Sequence, residues 1–344
     1  MLEAVDTPYF RDLQEQPAAL SRTLANLKRR EVLTGVTRFL TQRFRRVVLT
    51  GMGSSFHALH VPFLMLCARG QSAVMIETSE LVHHAQGLLD ETTLVIAVSQ
   101  SGSSAETVRL LDLDSPARVL GITNDPRGAL ARRSDHAVMI EAGPEASVSC
   151  KTYVSTLLAL QWLAAAMTAA DVAALLDELS TAPELVAQCL SRWPEAAQNL
   201  ARELRAGDGY ELVGRGASLS AVGTGALIIK EAARVPAEGL SSAAFRHGPI
   251  EMLSRDIVTL VFTGDPPTQE LNRRLLLEIK AREQRVYAIE RSGKSDPFAL
   301  PDCHRAVLPI LEIVPVQLLT LVAAQLSGHQ AGRFDIISKI TATE

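Results

Sequence analysis

The chain contains 344 residues, enough for two α/β domains of ordinary size. Hydrophobic residues make up 47% and charged residues 21%, as in a globular protein, and the net charge of −4 gives no reason to expect nucleic acid or an anionic membrane as a partner. No apolar run is expected to span a bilayer, the N-terminus is too charged for a secretion signal, and the four cysteines lack CxxC spacing. A cytoplasmic protein with reduced thiols is therefore expected.

Residues 1–45 are predicted to be helical, with prolines at tolerated positions near the start of two helices. Short apolar segments then alternate with helical segments, a pattern that predicts a parallel, doubly wound sheet between helices. The predicted strands are 46–50, 71–77, 93–98, 118–123 and 136–140. A helical, alanine-rich stretch follows over 151–205.

The second half repeats this arrangement weakly. A strand at 210–213 leads into a glycine turn and a helix, and further strands are predicted at 257–262, 285–289 and 306–308, before a helix at 315–326. The pattern indicates an internal duplication with one sheet domain in each half.

A serine-rich loop at residues 99–104 (SQSGSS) follows a predicted buried strand and precedes a helix. The unpaired N–H groups and the positive dipole end of that helix favour an anion. Hydroxyls of Ser99, Ser101, Ser103 and Ser104, with the Gln100 amide, would add donors. A serine-rich cap and turn without a ligand is the alternative interpretation.

A second glycine–serine turn, residues 51–55 (GMGSS), follows an earlier strand. If the two strands are neighbours, both turns face one crevice at the carboxyl ends of a parallel sheet, which favours an anion site. The counterpart of the serine loop in the second half, residues 263–267 (TGDPP), has an acidic residue and no serine. A phosphate site is therefore expected only in the first half.

Three residues are candidates for acid–base or carbonyl chemistry. Glu231 lies on a predicted apolar helix, where burial would raise its pKa, although an exposed glutamate paired with Lys230 or Arg234 is the alternative. His247 lies in an irregular loop before Gly-Pro and is suited to proton transfer, or it caps a backbone carbonyl. Lys339, in an apolar C-terminal tail, is either a carbonyl-reactive amine or a surface lysine. No set of side chains has convincing metal-ligand geometry, and neither a metal nor a cofactor is expected.

Together these residues resemble the sugar isomerase (SIS) domain family. The resemblance extends to the isomerase half of glutamine–fructose-6-phosphate aminotransferase, to aminosugar-phosphate deaminases, to ketose/aldose phosphate isomerases and to fructosamine-phosphate deglycases. The matching stretches, which follow the family's order along nearly the whole chain, are 14–17, 53–57, 99–102, 121–124, 148–153, 230–231, 237–239, 246–249 and 338–339.

The resemblance implies an α/β fold of two SIS domains, each a flavodoxin-like parallel sheet sandwiched between helices. It suggests N-terminal helices over 1–45, a phosphosugar-binding domain over 46–165, a helical connection over 166–205, a second domain over 206–330 and a catalytic tail over 331–344. It also implies a homodimer with shared active sites, without nucleic acid or membrane.

The resemblance also assigns roles to individual residues. Glu231 would move the proton between C1 and C2, His247 of the partner subunit would open the sugar ring, and Lys339 would lie near the carbonyl carbon. The substrate-binding set would be Ser54, Ser55, Ser99, Gln100, Ser101, Ser104, Val148 and Ser338.

Three departures from the aminotransferase pattern affect the expected activity. No glutamine-hydrolysing domain is expected, so glutamine-dependent synthesis is not expected either. Thr224 and Ile228 replace a glutamate and a lysine, and the segment 148–151 is one residue shorter. We therefore expect an isomerase/deaminase that converts a hexosamine 6-phosphate, such as glucosamine 6-phosphate, to fructose 6-phosphate and ammonia. A fructosamine-6-phosphate deglycase, another ketose/aldose phosphate isomerase and a non-catalytic phosphosugar sensor are the alternatives.

Overall fold

The structure is a computed structural model that describes residues 6–292 and 297–336. The chain forms two compact units, each built around its own sheet. The first unit comprises residues 18–144 and 151–180, and the second unit comprises residues 6–17, 145–150 and 181–335.

The sheet of the first unit is parallel, with the strand order β2-β1-β3-β4-β5. Its inner strands are rich in Val, Leu and Ile and almost wholly buried, as expected for a parallel sheet covered on both faces. The strands are β1 (Arg46–Gly51), β2 (Ala73–Glu77), β3 (Thr93–Val98), β4 (Arg118–Thr123) and β5 (His136–Met139).

Helices surround this first sheet. The longest, α9, packs against α4 and α5 and is buried along nearly all of its length, which explains its continuous apolar sequence. Most of α2 belongs to this unit, together with the helices that follow it up to α10. The helices are α2 (Gln16–Leu27), α3 (Arg30–Phe39), α4 (Gly53–Ala58), α5 (His60–Cys67), α6 (Thr78–His84), α7 (Ala105–Asp112), α8 (Ala129–Arg133), α9 (Lys151–Met167) and α10 (Val172–Leu179).

The second unit has a parallel sheet of the order β7-β6-β8-β9-β10, which is the same connectivity as in the first unit. Both sheets therefore have the flavodoxin-like strand order, and the predicted doubly wound α/β fold with two parallel sheets is confirmed. The strands are β6 (Gly209–Gly214), β7 (Ala237–Ser241), β8 (Ile257–Phe262), β9 (Val286–Arg291) and β10 (Ala299–Leu300).

In the second unit, α17 packs against α13 and against the turn that continues α13. The segment Leu308–Leu326 is long and apolar enough to cross a membrane, contrary to the sequence expectation, but 94% of its most apolar window is buried inside the protein, as in a core helix. The helices are α1 (Pro8–Gln14), α11 (Ala182–Ser191), α12 (Trp193–Glu203), α13 (Leu219–Ile228), α14 (Ser242–Arg246), α15 (Pro266–Ala281), α16 (Leu308–Leu311) and α17 (Ile313–Leu326).

Two predictions about the second sheet differ from the structure. The strand predicted at 306–308 is wrong, because this apolar stretch leads into the buried helix α16, and the fifth strand is β10. A short apolar run fits a buried helix as well as a strand. The edge strand β7 was not predicted, since its sequence AEGLS has neither alternation nor a long apolar run.

Candidate active site

The two glycine–serine turns of the first unit lie side by side. Strands β1 and β3 are paired in register so that Gly51 is opposite Val98, which brings their carboxyl ends to the same level. The turn after β1 leads into α4, and the loop after β3 leads into α7. The strand order reverses at this pair, and this is the position at which open α/β sheets bind ligands.

Internal hydrogen bonds hold the loop 99–104 in shape. The N–H of Gly102 donates to Oγ of Ser99 at 3.1 Å, and the N–H of Ser103 donates to Oγ of Ser101 at 3.2 Å. Ser104 is the N-cap of α7, and its Oγ accepts from the N–H of Thr107 at 3.4 Å. The Ser104 hydroxyl also shares a hydrogen bond of 2.8 Å with Oγ1 of Thr107, so the cap-and-turn interpretation describes this residue. The hydroxyls of Ser99 and Ser101 each accept one bond and still have a proton to donate.

Gly102 explains why the loop lies so close to its neighbours. Its φ is +62°, and a Cβ there would lie 2.9 Å from Oγ1 of Thr123 and 3.1 Å from Cβ of Leu130. The N–H of Leu130 donates to the carbonyl of Gly102 at 2.9 Å. The loop is thus fixed against the start of α8 before any ligand binds.

Asn124 holds the same loop from the other side. Its N–H donates to the carbonyl of Gln100 at 3.0 Å, its side-chain amide donates to the carbonyl of Gly143 at 2.8 Å, and its Oδ1 accepts from the N–H of Ala142 at 2.8 Å. Asn124 therefore ties the loop 99–104 to residues 142–143.

Other polar side chains of the two turns remain available to a ligand. Within residues 6–292 and 297–336, the side chains of Ser54, Ser55 and Gln100 make no hydrogen bond, and all three are half-buried. Gln100 belongs to the loop that leads into α7, whose N-terminal N–H groups and dipole favour negative charge. Ser54 and Ser55 belong to the turn after the neighbouring strand β1. A tetrahedral dianion such as a sugar phosphate fits this set of donors.

Glu231 lies in the second unit, on a π-helical turn, Ile229–Ala233, that continues α13. The carboxylate is half-buried, and burial raises its pKa to about 7 although the charge of Lys230 acts in the opposite direction. In the described part of the chain it makes no hydrogen bond or salt bridge, since Arg234 pairs with Asp335 at 2.7 Å instead. The alternative of an exposed, ion-paired glutamate is wrong, and the group is suited to proton transfer near neutral pH.

His247 is exposed and follows the short helix α14, where its own N–H donates to the carbonyl of Ala244 at 2.9 Å. Its imidazole makes no hydrogen bond to any residue that the structure describes, so the carbonyl-capping alternative is not observed. The neighbouring Arg246 pairs with Glu278 at 2.5 Å. The ring of His247 is thus open to another molecule.

Val148 lies in a loop of the second unit that Asp12 holds in place. The carboxylate of Asp12 accepts from the N–H groups of Ala146 and Ser147, both at 2.9 Å, and Val148 is 2% exposed. Asp12 was not singled out from the sequence, because a carboxylate within a helical segment carries no local sign of such a distant partner.

Buried Tyr9 lies near both this loop and Glu231. Burial raises the pKa of its phenol well above the usual range, and the negative charges of Glu145 and Glu231 add to that effect. Thr224 and Ile228, on α13, are fully buried, and since both are uncharged, neither brings a charge to this helix. The predicted site residues Ser338 and Lys339 lie outside the described residues.

The carboxyl end of the second sheet differs from that of the first. There Ser218 donates to Oε1 of the buried Glu312 at 2.8 Å, and burial raises the pKa of Glu312 to about 8. Asp265 pairs with Arg305 at the same edge. Here Ser218 bonds to Glu312 and Asp265 bonds to Arg305, whereas the turns of the first sheet leave the side chains of Ser54, Ser55 and Gln100 without a partner among the described residues.

Comparison with known proteins matches the SIS domain to residues 40–166 and 211–326, which correspond to the two sheets. The chain belongs to the SIS domain family. This confirms the resemblance and the fold expected from the sequence.

Individual SIS proteins resemble the chain over nearly its whole length. It is 31% identical to glutamine–fructose-6-phosphate aminotransferase (isomerizing) of Pyrococcus horikoshii, over 97% of this chain and 57% of that protein. The chain thus spans little more than half the length of this relative. Tagatose-6-phosphate ketose/aldose isomerase from Escherichia coli has the same fold, with a TM-score of 0.82 at 20% identity over 97% of this chain and 98% of the other. Glucosamine-6-phosphate deaminase from Thermotoga maritima also has this fold, with a TM-score of 0.73 at 19% identity over 94% of this chain and 96% of the other.

Proposed function

We propose that this SIS protein is a phosphosugar isomerase that acts on a hexosamine 6-phosphate and releases its amine. The observation that carries the proposal is Glu231, a half-buried carboxylate without an ion pair whose pKa is raised to about 7, in a protein that also has a hydroxyl-rich anion site. Such a carboxylate can take and return a proton near neutral pH, which supports an enzyme over a protein that only binds a phosphosugar. Membership of the SIS family and the names of the relatives support a phosphosugar as the substrate class.

The phosphate is assigned to the first unit. Ser54, Ser55 and Gln100 offer unused donors, and Ser99 and Ser101 add hydroxyls from the adjoining loop, while Ser104 caps the helix whose N-terminus faces the anion. A dianion fixed there orients the sugar carbons, and such positioning lowers the barrier of the chemical step.

The proton transfers are assigned to His247 and Glu231. We propose a homodimer in which His247 of the partner subunit opens the sugar ring. Glu231 then removes the C2 proton of the aminoaldehyde and returns it to C1. O1 gains a proton and the nitrogen loses one in the same conversion, which gives a C1 hydroxyl and an imine at C2. Water hydrolyses this imine to the ketose and ammonia, so each turnover consumes one water molecule. Val148, Ser338 and Lys339 are proposed sugar contacts by family resemblance.

The test is to supply glucosamine 6-phosphate and to measure ammonia and fructose 6-phosphate together. We expect both products at equal rates. In Glu231→Gln the rate should fall by about 10²–10⁴-fold, because the base is lost, while the affinity for the phosphosugar in calorimetry stays within about twofold. Glu184→Gln, an exposed glutamate on α11 of the same unit, is the matched control and should keep full activity.

Other results would redirect the assignment. Full activity in Glu231→Gln would contradict the proposed role. Release of glucose 6-phosphate and a free amino acid from a fructosamine 6-phosphate, without ammonia from glucosamine 6-phosphate, would make the protein a deglycase. If the protein bound both compounds but converted neither, it would be a non-catalytic phosphosugar sensor.

A further inference from the structure

The backbone that carries Glu231 has two uncommon features in succession. Residues Ile229–Ala233 form a π-helical turn, and Arg234 follows with φ +57° and ψ +37°. π-helical turns are rare and occur often at functional sites, and the left-handed conformation is disfavoured for a residue that has a Cβ. Such a turn persists only where the surrounding structure holds it.

The segment 332–335 holds this turn on both sides of Ala233. Nη2 of Arg234 donates to the carbonyl of Arg333 at 2.9 Å and to Oδ2 of Asp335 at 2.7 Å. The N–H of Gly332 donates to the carbonyl of Ala232 at 3.3 Å. Three bonds from one short segment therefore reach the residues directly after Glu231.

The segment 332–335 is in turn held by the loop that contains Ser147. Oγ of Ser147 donates to the carbonyl of Gly332 at 3.1 Å, within the loop that Asp12 holds. Gly332 has φ +73°, and a Cβ there would lie 1.8 Å from Oγ of Ser147 and 2.9 Å from Cβ of Tyr9, so only glycine fits. The segment is thus a rigid support for the turn.

We propose that Arg234 and Asp335 form a clamp that positions the carboxylate of Glu231, an inference that rests on the proposed role of Glu231 as the base. Their side chains are 32% and 44% exposed, and ion pairs as exposed as this contribute little to global stability. The pair therefore acts locally, on the conformation of the turn. Both are positioning residues, since neither is assigned a contact with the substrate.

The first experiment is a double-mutant cycle on turnover of glucosamine 6-phosphate with Arg234→Gln, Asp335→Asn and the double variant. We expect each single variant to lower kcat about tenfold with KM within about twofold, because binding of the phosphate is untouched. The double variant should lose no more than Arg234→Gln alone, since Arg234→Gln already removes the contact with Asp335. Arg333→Gln is the matched control: its side chain also contacts Asp335, at 3.1 Å, but does not reach the turn, and it should keep kcat.

The second experiment does not depend on activity. Amide hydrogen exchange of residues 229–235 should accelerate about tenfold or more in Asp335→Asn but not in Arg333→Gln, with the same urea midpoint of unfolding as the wild type. Unchanged exchange, additive losses in the cycle, or a lowered urea midpoint that accounts for the loss would overturn the clamp. Faster exchange together with no wild-type turnover would support the clamp and contradict the proposed function.

Discussion

At the scale of single residues, position in the fold decides which groups remain available for chemistry. Ser104 and Glu231 are both polar residues on or beside a helix, but Ser104 satisfies the N–H of Thr107 at the start of α7. Glu231 has neither a hydrogen bond nor a salt bridge among the described residues, and burial raises its pKa to about 7. A carboxylate in this state takes and returns a proton near neutral pH.

The raised pKa of Glu231 predicts a pH dependence of catalysis. Below pH 7 the carboxyl is protonated and cannot act as a base, so kcat/KM should rise about tenfold per pH unit in the acid range and level off above about pH 7. The folded state binds this proton more tightly than the unfolded state, so the group's contribution to stability is lost as the pH rises through about 7.

The measurement is kcat/KM between pH 5 and 9, with circular dichroism at each pH as a control for folding. A flat profile from pH 5 to 8 would show that Glu231 does not titrate in the catalytic step.

At the scale of elements, the loop 99–104 shows how the chain prepares an anion site without a ligand. The left-handed Gly102 turns the chain, Asn124 holds one side of the loop, and Leu130 holds the other. The donors therefore do not need to be ordered when a phosphate binds, which favours affinity.

Substitution of Gly102 by alanine tests this arrangement. The positive φ alone should cost about 1–2 kcal/mol of unfolding free energy, and a Cβ at 2.9 Å from Oγ1 of Thr123 should add to that and displace the loop. Gly70→Ala is the matched control, because Gly70 also has a positive φ, +74°, but no atom lies within 4 Å of its Cβ position.

Urea unfolding and calorimetric titration with a phosphosugar would separate the two effects. We expect both variants to lose stability, with the larger loss in Gly102→Ala, and only Gly102→Ala to bind more weakly. Equal stability and equal affinity in the two variants would mean that the close approach at Gly102 is unimportant.

At the scale of the whole molecule, two sheets of the same strand order carry different side chains at their carboxyl ends. The first has unused hydroxyls and an amide, whereas the second has the buried Glu312, bonded to Ser218, and Asp265, paired with Arg305. At the second edge the hydroxyl of Ser218 already donates to Glu312 and Arg305 pairs with Asp265, so these donors are occupied. One phosphate site, in the first unit, is therefore expected.

The turns after β1 and β6 allow a matched test, because Ser54 and Ala217 occupy corresponding half-buried positions in GMGSS and GRGAS. Ser54→Asp should weaken phosphosugar binding about tenfold or more, since a carboxylate repels the dianion, and tenfold corresponds to about 1.4 kcal/mol. Ala217→Asp should leave the affinity within about twofold. Calorimetry decides the matter, and equal weakening by the two substitutions would contradict a single phosphate site in the first sheet.

The sequence predicts a structural feature well when neighbouring residues along the chain determine it, and poorly when distant residues do. The bounds of β3 and β4 agree with the prediction to the residue, because turn residues bound each apolar run. Strand β7 could not be predicted, since its pairing with β6 and not its own pattern makes it a strand. The clamp of Arg234 and Asp335 could not be predicted either, because it joins residues 101 positions apart through a left-handed backbone.

Because Glu231 lies on the π-helical turn Ile229–Ala233, the number of residues in this turn determines where its carboxylate points as much as the residue type does. In an α-helix each residue is rotated by about 100° from the one before it, and a wider turn changes that phase for everything that follows. Deletion of one residue just before Glu231 would rotate the carboxylate by about 100° relative to α13, even with every neighbouring side chain retained. In this chain a one-residue gap at that point is therefore a change in the direction of the carboxylate.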